Sequence, residues 1–129
     1  MVAVDTNVIV RLLVNDEPKQ VRKAAALFET ETIFVSKTAL LETEWVLRYC
    51  YDLDSEAILR GLRSLAALPN VTLECESDIT IAFNWFERGL DFADALHLAS
   101  SRSARRFVTF DRPLRNAAKR LTSISITEP

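Results

Sequence analysis

The sequence is poor in the residues that form flexible linkers, disulfide frameworks and zinc sites. Its 129 residues include two glycines, four prolines, two cysteines and one histidine. So few glycines and prolines leave no linker segment, and we expect one domain over residues 1–129. Cys50 and Cys75 form no CxxC pair, which argues against a zinc site or a disulfide framework. They favour buried thiols in a reducing cytoplasm.

Long apolar runs and several common catalytic signatures are also missing. No apolar run is long enough to cross a bilayer. The first residues, MVAVDTN, lack the basic and apolar regions of a signal peptide, so we expect a cytoplasmic protein that does not contact membranes. No GxSxG elbow, P-loop or GxGxxG fingerprint is present, which argues against the hydrolase and nucleotide-binding classes that use them.

Charge is nearly balanced overall but unevenly distributed. Sixteen basic and 18 acidic residues give a formal net charge of −2, which does not by itself indicate a nucleic-acid-binding protein. The segment 102–120, however, contains seven basic residues and one acidic residue, Asp111. A charged run is usually a solvated face, but this one flanks an acid, and that arrangement suits a polyanion held beside an acidic centre.

Short β-branched runs alternate with amphipathic segments along the whole chain. This alternation favours an α/β fold, a three-layer α/β/α sandwich with a mainly parallel sheet of about five strands. The predicted strands are 2–4, 33–35, 71–73, 106–109 and 124–126. The predicted helices are 7–14, 18–29, 36–49 with Ser36 as cap, 55–68 with Ser55 as cap, 77 or 78 to 89, 91–103 and 113–121.

Four acidic residues come at or near the ends of these elements. Asp5 ends the first strand, Asp111 follows the fourth, Asp94 lies in the first turn of the sixth helix, and Glu42 lies two turns into the third. Ligand crevices of parallel sheets form at the carboxyl ends of the strands, so we expect these carboxylates to meet at one edge. Two of them also have structural readings, because Asp5 could cap a helix and Asp111 could be a turn residue.

A helical wheel separates Glu42 from its neighbour Glu44. Glu42 shares its face with Trp45 and Tyr49, which are core residue types. A carboxylate on an apolar face is costly unless something compensates its charge. Glu44 lies on the other side, four residues before Arg48, as in an ordinary surface ion pair. We therefore predict a functional role for Glu42 and none for Glu44.

Clustered carboxylates repel one another unless a cation lies between them. A donor set of oxygens alone selects Mg²⁺ or Mn²⁺ over zinc. Capping of the sixth helix explains Asp91, whereas it does not explain Asp94 in the first turn of that helix. His97, three residues after Asp94, is more often a hydrogen-bonded side chain than a metal ligand. Such a site suits phosphodiester hydrolysis by a metal-activated water.

Four segments resemble the PIN-domain nucleases, and among them the VapC toxins of bacterial and archaeal toxin–antitoxin pairs. They are VAVDTNVIVRLLVNDEP, VSKTALLETEWVLR, DFADALHLASS and VTFDRPLRNAAKRL, and together they run nearly end to end. The resemblance implies that Asp5, Glu42, Asp94 and Asp111 are the catalytic acids, with Asp5 and Asp94 as the main metal ligands. It also implies that Asn7 is a supporting residue that orients the site.

The same resemblance implies a function and partners. It implies a Mg²⁺-dependent endoribonuclease toxin, with Mn²⁺ as a substitute, that forms a homodimer and is inhibited by a cognate VapB-type antitoxin. DNA would be contacted only through the antitoxin. From the charge of the basic segment 102–120, we expect Arg112 and Arg115 to form part of the RNA groove. Two alternatives stay open: a PIN-domain nuclease of RNA processing, and a PIN-like binding module acting in an antitoxin–DNA repressor complex.

Overall fold

Short parallel strands alternate with helices along the chain, as the sequence predicts. A computed structural model describes residues 1–129 and divides into two compact units, Met1–Glu76 and Ser77–Pro129. None of the seven helices combines the length and the apolar character needed to cross a bilayer. The predicted α/β class is confirmed, and the single domain over residues 1–129 stays a prediction.

The first unit contains a three-stranded parallel sheet. Val2 pairs with Ile33, and Ile33 pairs with Val71 on the next strand. The strand residue Ile33 and the helix residue Leu62 are fully buried, so the core lies where the sheet meets the helices. The elements of this unit are β1 (Val2–Ala3), α1 (Thr6–Leu13), α2 (Pro18–Thr30), β2 (Ile33–Val35), α3 (Lys37–Tyr49), α4 (Ser55–Ala66) and β3 (Val71–Leu73).

Side-chain caps fix the beginnings of three of these helices. Asp5 and Ser36 accept hydrogen bonds from backbone amides at the start of α1 and α3, at 2.8 and 3.1 Å. The same contact at α4 is made by Asp54, at 2.9 Å, and not by Ser55 as predicted. Asp and Ser are about equally good caps, so sequence alone could not choose between these two neighbours.

The second unit contains a two-stranded parallel sheet. Phe107 pairs with Ile126 across it. Phe92 is fully buried, and its ring lies 5.3 Å from that of Phe86, which makes these aromatic rings part of the core of this unit. Its elements are α5 (Glu76–Glu87), which begins at the boundary, α6 (Phe92–Ser100), β4 (Phe107–Val108), α7 (Arg112–Lys119) and β5 (Ile126–Thr127).

Gly89 turns the chain between α5 and α6. Its φ of 105° lies in the left-handed region, which glycine adopts without the steric cost of a Cβ. The amide of Leu90 donates to the carbonyl of Trp85 at 3.0 Å, as in a Schellman ending. Asp91 then accepts a hydrogen bond from the amide of Asp94 at 3.3 Å and caps α6, which confirms its predicted role.

The predicted sheet of about five strands is wrong. All five strands exist, but three belong to the sheet β1-β2-β3 and two to the separate pair β4-β5. Strands β4 and β5 are each two residues long, and each forms its ladder hydrogen bonds only with the other. Sequence periodicity identifies a strand, but the hydrogen-bond partner across the ladder depends on tertiary contacts.

The two cysteines depart from expectation in one respect. Cys50 and Cys75 are free thiols, but both are exposed, so the prediction that they are buried is wrong. Cys50 follows the last turn of α3, and Cys75 has a φ of 49° in a turn after β3. Both residues lie just outside a regular element, where the backbone comes to the surface.

Candidate active site

A cavity of about 340 Å³ in the first unit is lined by α1, by α3 and by residues at their ends. Two of the predicted catalytic acids, Asp5 and Glu42, line it together with Asn7. The lining residues on each helix are three or four positions apart, so each helix presents one face to the cavity. The other principal lining residues are Val10, Arg11, Val46 and Tyr51.

Asp5 has a structural task in addition to its place in the cavity. Its Oδ1 accepts a hydrogen bond from the amide of Thr6 at 2.8 Å and caps α1. The side chain makes no other hydrogen bond or ion pair, so Oδ2 is free for a ligand. A carboxylate has acceptor sites on both oxygens, and the capping and functional readings of Asp5 are therefore compatible.

The surroundings of Glu42 and Glu44 are the reverse of those predicted. Glu44 is buried, with 6% exposure, and Glu42 is exposed. The predicted ion pair of Glu44 with Arg48 is present, at 2.8 Å, but it is partly buried. Glu42 makes no ion pair or hydrogen bond through its carboxylate, so it lines the cavity as an uncompensated charge.

The aromatic residues of α3 lie on its exposed side and not in the core, which is why the prediction for Glu42 and Glu44 gives the wrong burial. Trp45 and Tyr49 share the side of Glu42, as the wheel shows, but they are 55% and 67% exposed and lie against each other with centroids 5.2 Å apart. The buried stripe instead runs through Leu40, Thr43 and Leu47. Leucines seven residues apart were the signal for this face.

In the second unit, Asp94 lies half-buried in the first turn of α6. Burial raises the pKa of its carboxyl group, and the negative charges of Asp91 and Asp111 raise it further. His97 lowers it to a smaller extent. Asp94 and Asp111 are therefore close enough for their charges to interact. Burial and like-charge repulsion both favour a proton or a cation at the Asp94 carboxylate.

Asp111, like Asp5, caps a helix with one oxygen of its carboxylate. Its Oδ1 accepts a hydrogen bond from the amide of Leu114 at 3.0 Å and caps α7. Its own amide donates to the hydroxyl of Thr109 at 3.0 Å, which forms the turn after β4. The predicted turn is present, and the second carboxylate oxygen makes no hydrogen bond.

The donor set of these residues fits a hard divalent cation. Neither unit by itself contains a group of three or more His, Cys, Asp or Glu side chains that could hold a metal ion. Mg²⁺ needs only one or two protein carboxylates, because it keeps several waters and takes substrate oxygens. Asp5 offers a free carboxylate oxygen, and a cation beside Asp94 would offset the burial and the repulsion that raise its pKa.

The basic segment is less positive than the sequence indicates. Arg112 and Arg115 both lie near Glu128, at 3.8 and 3.2 Å. Glu128 comes after β5, so the charge of the segment 102–120 does not include it. Arg112 remains 78% exposed and can still reach a polyanion.

The sequence reading missed two residues that line the cavity with Asp5 and Glu42. These two residues are Arg11 and Tyr51. The spacing of four residues from Asn7 was the available signal for Arg11, since residues i and i+4 share a helix face. Tyr51 offered no such signal, because it lies after the end of α3.

Comparison with known proteins identifies the family. The family model for the PIN domain matches residues 2–120 and so spans both units. No curated protein gives a significant match. Among solved structures, the chain is similar to the Mycobacterium tuberculosis toxin VapC20, which cleaves the sarcin-ricin loop, with 18% identity over 97% of this chain and 99% of that chain and a TM-score of 0.46. On the family-model match, the chain belongs to the PIN-domain family, a family of nucleases.

Proposed function

We propose that the chain is a Mg²⁺-dependent endoribonuclease toxin that hydrolyses RNA phosphodiester bonds and is neutralised by a cognate VapB-type antitoxin. Membership of the PIN-domain family supports the nuclease part of this proposal. The observation that carries the assignment of the site is the cavity in which Asp5 and Glu42 lie together, each with at least one carboxylate oxygen that makes no hydrogen bond or ion pair within the protein.

Each acid has a role in the proposal. Asp5 and Asp94 would hold Mg²⁺ or Mn²⁺, and Asn7 would be a supporting residue that orients the site. The cation, when bound, supplies an activated water and charge stabilisation at the phosphate. Glu42, whose carboxylate is exposed and unpaired, can accept a proton or a hydrogen bond at the cavity wall. The charge of Asp111 favours the binding of a cation at Asp94.

The partners follow from the same proposal. RNA is the substrate, the chain acts as a homodimer in the cytoplasm, and DNA is reached only through the antitoxin. Arg112 is exposed and basic, and with Arg115 it supports an RNA-binding role for α7. The exposed pair Trp45–Tyr49 on α3 is a surface of the kind that protein interfaces cover, which supports the homodimer.

The test is cleavage of total RNA by the purified chain, with the cut ends mapped, in Mg²⁺ and in EDTA. We expect discrete cuts in Mg²⁺ and none in EDTA. Asp5→Asn should be inactive yet folded, because Asn caps a helix as well as Asp does. Asp52→Asn is the matched control, since Asp52 is exposed, lies outside the cavity and has a φ of 55° that Asn also adopts.

Two results would overturn the proposal. The first is full cleavage in EDTA, which would remove the metal from the mechanism. The second is equal activity of Asp5→Asn and Asp52→Asn, which would remove the cavity from the active site. Specific binding of RNA without any cleavage would instead favour a binding module.

A further inference from the structure

Arg11 is a cation on the wall of the cavity that contains Asp5 and Glu42. It lies one helical turn after Asn7 on α1, on the face that lines the cavity. Its side chain makes no ion pair with Asp5 or Glu42, since its acidic partner is Asp16 at 3.4 Å. The cavity therefore contains separate negative and positive groups that do not neutralise each other.

Three hydrogen bonds hold the guanidinium of Arg11 in one orientation. Its Nε donates to Gln20 Oε1 at 2.6 Å, and its Nη1 donates to the hydroxyl of Tyr51 at 2.8 Å and to Asp16 Oδ1 at 3.4 Å. The Tyr51 hydroxyl in turn donates to Asp16 Oδ2 at 2.8 Å. Tyr51 and Asp16 thus position the side chain and reduce the entropy that it loses when it binds a ligand.

One side of the guanidinium stays free. Its Nη2 makes no hydrogen bond within the protein, although the other two nitrogens do. The hydrogen bond that Arg11 donates to the Tyr51 hydroxyl is the main cause of a raised pKa for Arg11, so the positive charge is permanent. A fixed guanidinium with a free N–H edge is the group that proteins use to bind phosphate oxygens.

We propose that Arg11 binds a backbone phosphate of the RNA strand through Nη2, beside Asp5 and Glu42, and that Tyr51 and Asp16 position it. This inference rests on the proposed function, because it assumes an RNA substrate in this cavity. It adds a substrate-binding residue in the first unit to the predicted basic residues of α7. In the competing interpretation, Arg11 only links α1 to Gln20 and Tyr51 and stabilises the fold.

The experiment measures binding of a fluorescein-labelled 12-nucleotide single-stranded RNA of mixed sequence across a salt series. The protein is the full chain carrying Asp94→Asn, so that the probe is not cut. Arg11→Gln should weaken binding about tenfold, the size of one charge-assisted hydrogen bond. The slope of log affinity against log salt should fall by about 0.7, the value for one phosphate contact on a single strand. Arg60→Gln, at an exposed arginine of α4 outside the cavity, should change neither quantity.

Two further variants separate charge from position. Arg11→Lys keeps the charge but cannot keep the set of hydrogen bonds, so we expect a wild-type salt slope with weaker binding. Tyr51→Phe removes the hydroxyl that orients Arg11, and we expect about a threefold loss of affinity with an unchanged slope. Thr72→Val, which removes a hydroxyl that is exposed, outside the cavity and without a hydrogen bond, is its control.

The outcomes distinguish this inference from the proposed function. If the parent chain binds the probe and Arg11→Gln binds it equally well with the same slope, Arg11 has only a structural role and the inference is wrong. A fall in the thermal midpoint of Arg11→Gln with unchanged RNA affinity would lead to the same conclusion. If the parent chain binds no RNA at all, the proposed function itself fails.

Discussion

Asp94 is the residue at which local structure most clearly opposes a charge. Its carboxyl group is half-buried and lies near the negative charges of Asp91 and Asp111, and each of these raises its pKa above the ordinary 3.8. The native state therefore keeps a proton on Asp94 at pH values where the unfolded chain has lost it. Ionisation of Asp94 lowers the stability of the native state as the pH rises through this window.

Asp94→Asn should separate stability from activity. Without metal, in EDTA, the variant should be more thermally stable than the wild type near neutral pH, because it lacks the repelled charge. The difference should shrink as the pH falls through the raised pKa and below 3.8, where the wild type is protonated too. Cleavage in Mg²⁺ should fall to background, and thermal melts with RNA gels measure the two effects.

The exposed Asp52→Asn provides the control for Asp94→Asn. Its thermal midpoint should follow that of the wild type across the same pH series. Wild-type cleavage by Asp94→Asn would contradict the assignment of Asp94. A thermal midpoint below that of the wild type at neutral pH would mean that the charge of Asp94 is compensated in solution.

The individual candidate acids could be found from sequence because each occupies a position with a local signature. Asp5 and Asp111 follow strands, and Asp94 follows a cap at Asp91 within one turn. The same local signatures also explain why two of them prove to be helix caps as well. The spacing from Asn7 places Arg11 on the cavity face of α1, but its proposed role depends on Tyr51, 40 residues away in the chain, which no local pattern indicates.

At the scale of the element, α3 illustrates the limit of a helical wheel. The wheel correctly separates the side of Glu42 from the side of Glu44, but it does not state which side is buried. Aromatic residues are typical of a core face, yet Trp45 is 55% exposed, and the leucine stripe faces the core. Exposed aromatic residues are common at binding surfaces, and in such a helix residue type alone gives the wrong face.

The revised arrangement of α3 changes the prediction for its two glutamates. Glu42→Gln should lose cleavage with no change in thermal midpoint, since the carboxylate is exposed and has no partner. Glu44→Gln should keep cleavage but lose about 1 kcal/mol of stability, because it weakens a partly buried, charge-assisted bond to Arg48. That loss corresponds to a fall of about 3–5 °C in the thermal midpoint.

Paired measurements on the same two proteins make this test internally controlled. RNA cleavage rates and thermal melts should show opposite effects in the two variants. Equal cleavage by both would remove Glu42 from the site. Loss of cleavage only in Glu44→Gln would mean that the buried glutamate, rather than the exposed one, is the functional residue.

The helix α7 is the second element whose role depends on a residue distant in the chain. Arg112 and Arg115 share Glu128, so their net charge is lower than the segment 102–120 indicates. If these arginines bind RNA, Glu128→Gln should raise the affinity for a single-stranded RNA about two- to fivefold, the range for an exposed ion pair. The salt slope should become steeper, because more phosphate contacts release counterions.

Reversal of the two arginine charges should have the opposite effect. The double variant Arg112→Glu and Arg115→Glu should bind RNA more weakly and with a flatter salt slope. Glu56→Gln, at an exposed acid of α4, is the charge-matched control for Glu128→Gln. An unchanged slope in the double variant would place the RNA groove away from α7.

At the scale of the whole molecule, the alternation of strands and helices predicts the α/β class, whereas the grouping of the strands depends on the tertiary structure. β1, β2 and β3 pair in chain order, and each crossover between them contains at least one helix. The strands β4 and β5 have the same residue types but pair only with each other. Which ladder a two-residue strand joins depends on long-range contacts that no local pattern contains.

The residue types that the chain has and lacks also bear on the proposed mechanism. Metal-independent ribonucleases attack through the 2′-hydroxyl and need an acid–base pair, which is usually built around histidine. His97 is the only histidine, it is exposed, and its ring makes no hydrogen bond within the protein. The carboxylates of Asp5, Glu42, Asp94 and Asp111 instead favour hydrolysis by water, since they are acceptors and cation ligands.

The ends of the RNA products therefore test the mechanism directly. Attack by water on phosphorus with loss of the 3′-oxygen leaves a 5′-phosphate on the downstream fragment and a 3′-hydroxyl on the upstream one. We expect ligation-based end mapping to find these ends, in Mg²⁺ and in Mn²⁺, and the His97→Gln variant to give the same products at a similar rate. Products with 2′,3′-cyclic phosphates would mean that the 2′-hydroxyl is the nucleophile. Such ends together with an inactive His97→Gln would transfer the catalytic role from the carboxylates to the histidine.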